Sequence, residues 1–154
     1  MREFQFCNSI DSIETERCVK LPERSTAKSA GYDFFAPERY VIPPFKVGDK
    51  PTMVKTCVKV KMPDDEVLLL FNRSSNPSKK KLCLANGVGV IDADYYNNPD
   101  NEGEIGFPFF NISDEDVIIE PGDKLGQGVF VKYEITVDDN ATGERTGGFG
   151  STGR

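Results

Sequence analysis

At 154 residues, with 38% hydrophobic and 29% charged positions, the chain is long enough to bury one substantial core without a disulfide framework, so a single domain is the simplest expectation. A formal net charge of -6 leaves no broad basic face to release counterions from a polyanion, which argues against extended nucleic-acid binding. There is no histidine, which excludes serine–histidine triads and histidine metal sites and leaves any general base to a carboxylate, a perturbed lysine or cysteine, or a phenol.

Along the chain the hydrophobic period is two rather than 3.6. The opening residues lack an apolar signal core and nothing later reaches membrane-spanning length, so a cytoplasmic protein with no membrane partner is expected. The first strand is expected over 4–7, and 9–18 carries the one hint of a short helix. Strands follow over 31–35 and 40–42. The run 52–62 alternates cleanly, with Val54, Thr56, Val58, Val60 and Met62 on one face and Lys55, Lys59 and Lys61 on the other, and reads as one half-buried strand. Further strands are expected over 67–71, 105–111, 117–119 and 125–137, separated by turn formers such as Pro43-Pro44, Asn76-Pro77-Ser78 and Glu120-Pro121-Gly122-Asp123. Many short strands between turns imply an all-β sandwich, jelly roll or barrel. Cys7, Cys18, Cys57 and Cys83 have no C-x-x-C spacing and read as reduced, mostly structural thiols.

Three stretches carry chemistry. Asn86-Gly87-Val88-Gly89-Val90-Ile91-Asp92-Ala93-Asp94-Tyr95 packs glycines, carboxylates and a ring into one short segment, where a flat ligand can lie against exposed N–H and C=O groups with Asp92 and Tyr95 beside it. The plainer reading of that segment is a tight hairpin with two solvated acids. Gln127 falls in phase with Leu125, Val129 and Val131 on a face expected to be buried, which calls for either a structural hydrogen bond or a ligand contact. From Gly143 onward the chain is too glycine-rich to hold a strand or helix, yet Phe149 sits there beside Arg145 and hydroxyls. A frayed tail and a lid that stacks on a base and clamps phosphates are the two alternatives. The basic cluster Lys79-Lys80-Lys81 reads as a solvated loop able to attract a small phosphate ligand.

Taken together these pieces resemble one family in order along nearly the whole chain. Ala30-Gly31-Tyr32-Asp33, Arg73-Ser74-Ser75, Asn86 through Asp92 with Tyr95, Gly122-Asp123-Lys124-Leu125-Gly126-Gln127, and Arg145 with Gly148-Phe149-Gly150-Ser151-Thr152 are similar to the five motifs of trimeric dUTP diphosphatases. The resemblance implies a jelly-roll-like β domain over 1–138 and a flexible arm over 139–154 that acts as an active-site lid. It also implies a homotrimer with shared sites, and Mg2+-dependent hydrolysis of dUTP to dUMP and pyrophosphate by water attacking the α-phosphorus.

Residue by residue, it implies that Asp92 activates the water and that Tyr95 packs against deoxyribose, where a 2′-hydroxyl would clash. Asn86, Gly89, Val90 and Ile91 would form a uracil-reading hairpin. Uracil's edge offers acceptor, donor, acceptor, which strand-like backbone satisfies with few side chains. Arg73, Ser74 and Ser75 would surround the phosphates, although many relatives carry glycine at the position of Ser75, and Gln127 would contact the phosphates or the attacking water. Asp33 would help hold the hydrated Mg2+ indirectly, the ion being carried mainly by triphosphate oxygens. Phe149 would stack on uracil while Arg145, Ser151 and Thr152 hold the distal phosphates and Gly150 contributes backbone.

Two departures mark this chain. The arm has one residue fewer between Arg145 and Phe149 than many relatives, and Tyr96-Asn97-Asn98-Pro99-Asp100-Asn101-Glu102 lengthens the loop after Tyr95. That loop is not a calcium-binding EF-hand: counting from Asp92, Asn97 stands where the glycine is needed and Gly103 where the glutamate is needed. A dCTP deaminase of the same fold is the enzymatic alternative, but its strand after the hairpin carries a glutamate and residues 105–111 contain no acid. A non-catalytic nucleotide-binding regulator is the alternative from another class.

Overall fold

Among the described residues the alternation is realised as eleven strands: β1 (Glu3–Phe6), β2 (Tyr32–Phe35), β3 (Tyr40–Ile42), β4 (Thr52–Lys55), β5 (Val58–Lys61), β6 (Glu66–Asn72), β7 (Leu82–Leu84), β8 (Val88–Asp92), β9 (Gly106–Asn111), β10 (Val117–Ile119) and β11 (Lys124–Lys132). The computed structural model describes residues 1–8 and 19–148. The short helix expected over 9–18, together with Cys18, lies outside the described residues, as do Phe149, Gly150, Ser151 and Thr152.

Every strand pairing is antiparallel. A four-stranded sheet runs β2-β11-β6-β8, a three-stranded sheet runs β4-β9-β7, and two small ladders join β1 to β5 and β3 to β10. The result is the expected all-β, jelly-roll-like fold. Its core lies between the two larger sheets, where Leu68 and Leu70 on the inner face of β6 and Phe34 on β2 share one apolar cluster with Phe107 and Phe109 on β9. Phe34 and Phe107 meet with ring centroids 5.5 Å apart. Two glycines permit that closeness: a Cβ on Gly126 would stand 2.4 Å from the Phe107 ring, and one on Gly128 would stand 2.9 Å from both Leu68 and Phe34. Among the described residues no helix is long and apolar enough to cross a membrane.

The structure corrects the sequence reading at several joints. The single strand expected over 52–62 is two, because the chain changes sheet at Thr56-Cys57: β4 pairs β9 whereas β5 pairs β1. Cys57 takes a φ of 57° to make the jump. The buried face survives the break, since Val54, Thr56, Val58, Val60 and Met62 are all buried, and the Thr56 hydroxyl is satisfied by donating to the Ile105 carbonyl at 2.7 Å. β11 stops at Lys132, opposite Glu66, the first residue of β6, so the apolar alternation beyond it has no strand to pair with, and Ile135 and Val137 are exposed.

β11 also contains a bulge. Its register with β2 shifts between Lys124 and Gly126, which leaves Leu125 as the extra residue, buried in the core. Beyond the bulge Gly126, Gly128 and Phe130 face inward. Gln127, Val129 and Val131 therefore do share a face, as their spacing requires, but it is the outer face of the sheet, and the expectation that this face is buried within the chain is corrected. A second correction concerns the glycine-rich segment: β7 pairs β9 and β8 pairs β6, so Asn86-Gly87 is a corner between two sheets rather than the tip of a two-stranded hairpin. Gly87, at a φ of 70°, supplies the turn that a side chain would strain.

Candidate active site

β8 is the edge of the four-stranded sheet, so among the described residues the backbone groups on its outer side have no neighbouring strand to bond. There it borders a cleft of about 220 Å³. Asn86, Gly89, Val90, Ile91, Asp92, Tyr95 and Arg145 all line it, with Leu70, Gly106 and Pro108 as the apolar wall. The flatness of the cleft at Gly89 has a packing cause, since a Cβ there would stand 3.0 Å from Leu70 Cβ.

Asp92 ends β8 and Tyr95 closes the 3-10 turn Ala93–Tyr95 that follows. This turn presents the carboxylate and the ring to the same space. Tyr95 is buried, and burial pushes its phenol above the ordinary value, countered in part by the hydrogen bond from Asn101. Arg145 lies 5.8 Å from the centroid of that ring, donates from its Nε to Asp94 at 2.7 Å, and donates to the Asp92 carboxylate as well. Its guanidinium is raised above the usual arginine value, first by the hydrogen bond to Asp94. Gly148 fits against Tyr95 because it has no Cβ, which would stand 2.8 Å from the ring. The described part of the arm thus folds onto its own chain's Asp92 and Tyr95.

The remaining candidates gather at a second place. Arg73, Ser74 and Ser75 leave the end of β6 and lead into a π-type turn, Asn76–Lys80. Ser75 has a φ of -81°, a conformation open to any side chain, so replacing the glycine of relatives costs nothing there. Asn76 braces the segment by donating at 2.8 Å to the Leu125 carbonyl and to Asn72 Oδ1. Gln127 stands opposite Asp33 in the β11–β2 register, its Oε1 lying over Gly31, where a Cβ would come within 2.2 Å. Burial pushes the Asp33 carboxyl up, but hydrogen bonds from Lys124 Nζ at 2.7 Å and the Ser25 hydroxyl at 2.6 Å outweigh it and hold the group below its ordinary value. Arg73 favours the charged form of both Asp33 and Asp123, and Lys80 binds Asp123 at 2.9 Å.

The two clusters sit at opposite ends of β6. Asp92 pairs with Val67 at one end, while Gly126 pairs with Asn72, just before Arg73, at the other. Six residues of extended chain separate Val67 from Arg73, roughly 20 Å at strand rise. Asn86 precedes Val88, which pairs with Phe71 at the Arg73 end, yet Arg73, Ser74, Ser75 and Gln127 do not line the cleft, and within one chain Asp92 stands apart from the phosphate cluster. Sequence reasoning missed Asp94 as a partner of Arg145, Asn101 as a partner of Tyr95, and Asn72 and Asn76 as braces. Only Asp94 carried a signal, its place two residues from Asp92.

The dUTPase family profile matches residues 17–153. The chain is 47% identical over 137 residues to the deoxyuridine 5′-triphosphate nucleotidohydrolase of Lactococcus lactis, covering 88% of this chain and 89% of that one. It is 33% identical over 149 residues to the protein of the same name from Desulfitobacterium hafniense, covering 92% of each. Among solved structures, the dUTPase of Streptococcus mutans is 43% identical with a TM-score of 0.74, over 86% of this chain and 97% of that one. A dUTPase variant from phage phi11 of S. aureus, described with a structural Mg(II) ion, shares the fold at 24% identity and a TM-score of 0.69, over 93% of this chain and 97% of that one.

Proposed function

The chain belongs to the dUTPase family, and from that premise we propose how its own residues carry out the hydrolysis of dUTP to dUMP and pyrophosphate. The observation that carries the reading is the convergence of Asp92, Tyr95 and the edge backbone of Gly89, Val90 and Ile91 on one cleft.

The free N–H and C=O groups of β8 read the acceptor-donor-acceptor edge of uracil, helped by the Asn86 side chain. The Tyr95 ring walls the sugar and leaves no room for a 2′-hydroxyl. Asp92, in a chain without histidine, orients a water and takes its proton as the oxygen attacks the α-phosphorus. Arg73, Ser74, Ser75 and Gln127 surround the triphosphate and stabilise charge developing on the departing pyrophosphate. The triphosphate competes with Asp92 and Asp94 for the Arg145 guanidinium. Drawing Arg145 onto the phosphates frees Asp92 for the water and brings the arm, with Phe149, Gly150, Ser151 and Thr152, over the base.

Mg2+ fits this donor set as an ion brought by the substrate. Among the described residues no three acidic or thiol side chains converge on one point, and the Oδ2 of Asp33 already accepts from Lys124 and Ser25. Asp33 accordingly acts on the ion's water shell at most. When bound, the ion neutralises phosphate charge and fixes the geometry of the chain of phosphates.

A homotrimer with shared sites is supported by the outer face of the four-stranded sheet. Leu69 on β6 stands between Val90 on β8 and Val129 on β11, flanked by Val67 beside Val131 and Phe71 beside Val88. Val88, Val90 and Val131 are exposed in the single chain. Asp92 and Gln127 occupy opposite corners of this same face, so copies packed on it place the cleft of one beside the phosphate cluster of another. Together with the cysteine usage, the reading is of a cytoplasmic enzyme.

The deaminase alternative is not favoured. The acid nearest strand β9, Glu104, accepts from the Cys57 N–H at 3.0 Å and pairs with Lys55 at 3.4 Å, and it does not line the cleft. The experiment is pyrophosphate release over a panel of deoxynucleotides with and without Mg2+, with ammonia measured in parallel. Pyrophosphate from dUTP with Mg2+ is expected, and ammonia from dCTP would contradict the reading.

A further inference from the structure

The lengthened loop after Tyr95 is clamped onto the body of the protein. Lys59 Nζ donates to Asn97 Oδ1 at 2.8 Å and reaches Glu102 Oε2 at 3.3 Å, and the Tyr96 hydroxyl donates to Gln5 at 2.6 Å. Asn97 and Glu102 take φ values of 57° and 59°, the left-handed region, which asparagine adopts readily and glutamate rarely. Gly103, at a φ of 77°, closes the loop so tightly that a Cβ would stand 2.2 Å from the Tyr95 carbonyl oxygen.

Inside this clamp Asn101 makes two directed contacts. Its Oδ1 accepts from the Gly103 N–H at 3.0 Å, which turns the amide so that Nδ2 donates to the Tyr95 hydroxyl at 2.7 Å. The hydroxyl in turn reaches the Glu104 carbonyl at 3.4 Å. Tyr95 is therefore held at both ends, by the 3-10 turn at its Cα and by Asn101 at its oxygen. We propose that Asn101 is a positioning residue which locks the Tyr95 ring against the cleft and thereby sets discrimination between 2′-deoxyribo- and ribonucleotide substrates. The inference rests on the reading of Tyr95 as the wall beside the sugar. Losing the 2.7 Å tie to Asn101 leaves the hydroxyl with the longer contact to the Glu104 carbonyl, so the ring yields more readily to an added hydroxyl.

The test is kcat and KM for dUTP and UTP in the intact enzyme, Asn101→Ala, Tyr95→Phe and the double variant. Asn101→Ala is expected to lower the dUTP:UTP ratio of kcat/KM by roughly 3- to 10-fold, the worth of one hydrogen bond, with most of the change in KM. Tyr95→Phe keeps the loop and removes the same contact, so it should produce a similar fall, and adding Asn101→Ala to it should lower the ratio no further. An unchanged ratio in Asn101→Ala, or full additivity in the double variant, would overturn the inference while leaving the assignment of dUTP hydrolysis intact. Absence of dUTP turnover in the intact enzyme would overturn both.

Discussion

In the proposed mechanism the chemistry turns on Asp92, since the composition leaves few other bases and Asp92 is the carboxylate lining the cleft at the end of β8. Asp92→Asn should bind dUTP with little change while turnover falls by about 10²- to 10⁴-fold, the usual contribution of a general base. Calorimetric titration with pyrophosphate release on the same preparation checks both halves. Gly31→Ala should displace the Gln127 amide, whose oxygen occupies the space the new methyl needs. Turnover should drop more than the melting temperature does, and an unperturbed kcat would disconnect Gln127 from the site. Asp33, held below its ordinary value of 3.8 by Lys124 and Ser25, contributes stability that is fully present above that value and is lost as pH falls through the depressed one. Lys124→Met should raise the Asp33 pKa, read by carboxyl NMR, and flatten the acid limb of the stability profile. The sequence grouped Asn86, Gly89, Val90, Ile91, Asp92 and Tyr95 in one stretch, and they line one cleft, so this part of the candidate site was legible. Asn101 and Asn76 were not, because an asparagine in a loop carries no periodicity and its meaning lies wholly in which distant oxygen it meets.

At the scale of elements, strand positions could be read from alternation, and strand partners could not. The inward set Val54, Thr56, Val58, Val60 and Met62 was correct even though the strand is broken at Cys57, because period two survives a change of sheet when the buried face is kept. The same logic failed at β11. One bulged residue at Leu125 exchanges the faces that follow, and alternation alone cannot announce it. The overshoot past Lys132 has the complementary cause, since Ile135 and Val137 alternate with no partner strand to use the pattern. The arm poses its own test. Deleting the residues after Thr142 removes Arg145 and the proposed lid but none of β1–β11, so circular dichroism and melting temperature should be preserved while kcat/KM for dUTP falls. Turnover at the intact rate would show that the arm is not part of the site.

At the scale of the molecule, a single chain is, in the proposed reading, half an active site twice over. Asp92 and the cluster at Arg73 lie at opposite ends of β6, joined by an apolar sheet face that a second copy would cover in the proposed trimer. Leu69→Glu, at the centre of that face and outside both clusters, should yield a folded monomer by light scattering that has lost most dUTP hydrolysis. The most direct test mixes two dead enzymes. Co-refolded Asp92→Asn and Arg73→Ala chains at equal amounts should regain about a quarter of the intact activity, because random assembly gives that share of sites an unaltered Asp92 from one chain and an unaltered Arg73 from another. Activity no higher than that of either variant alone would mean that each site is built within one chain, and would contradict the account.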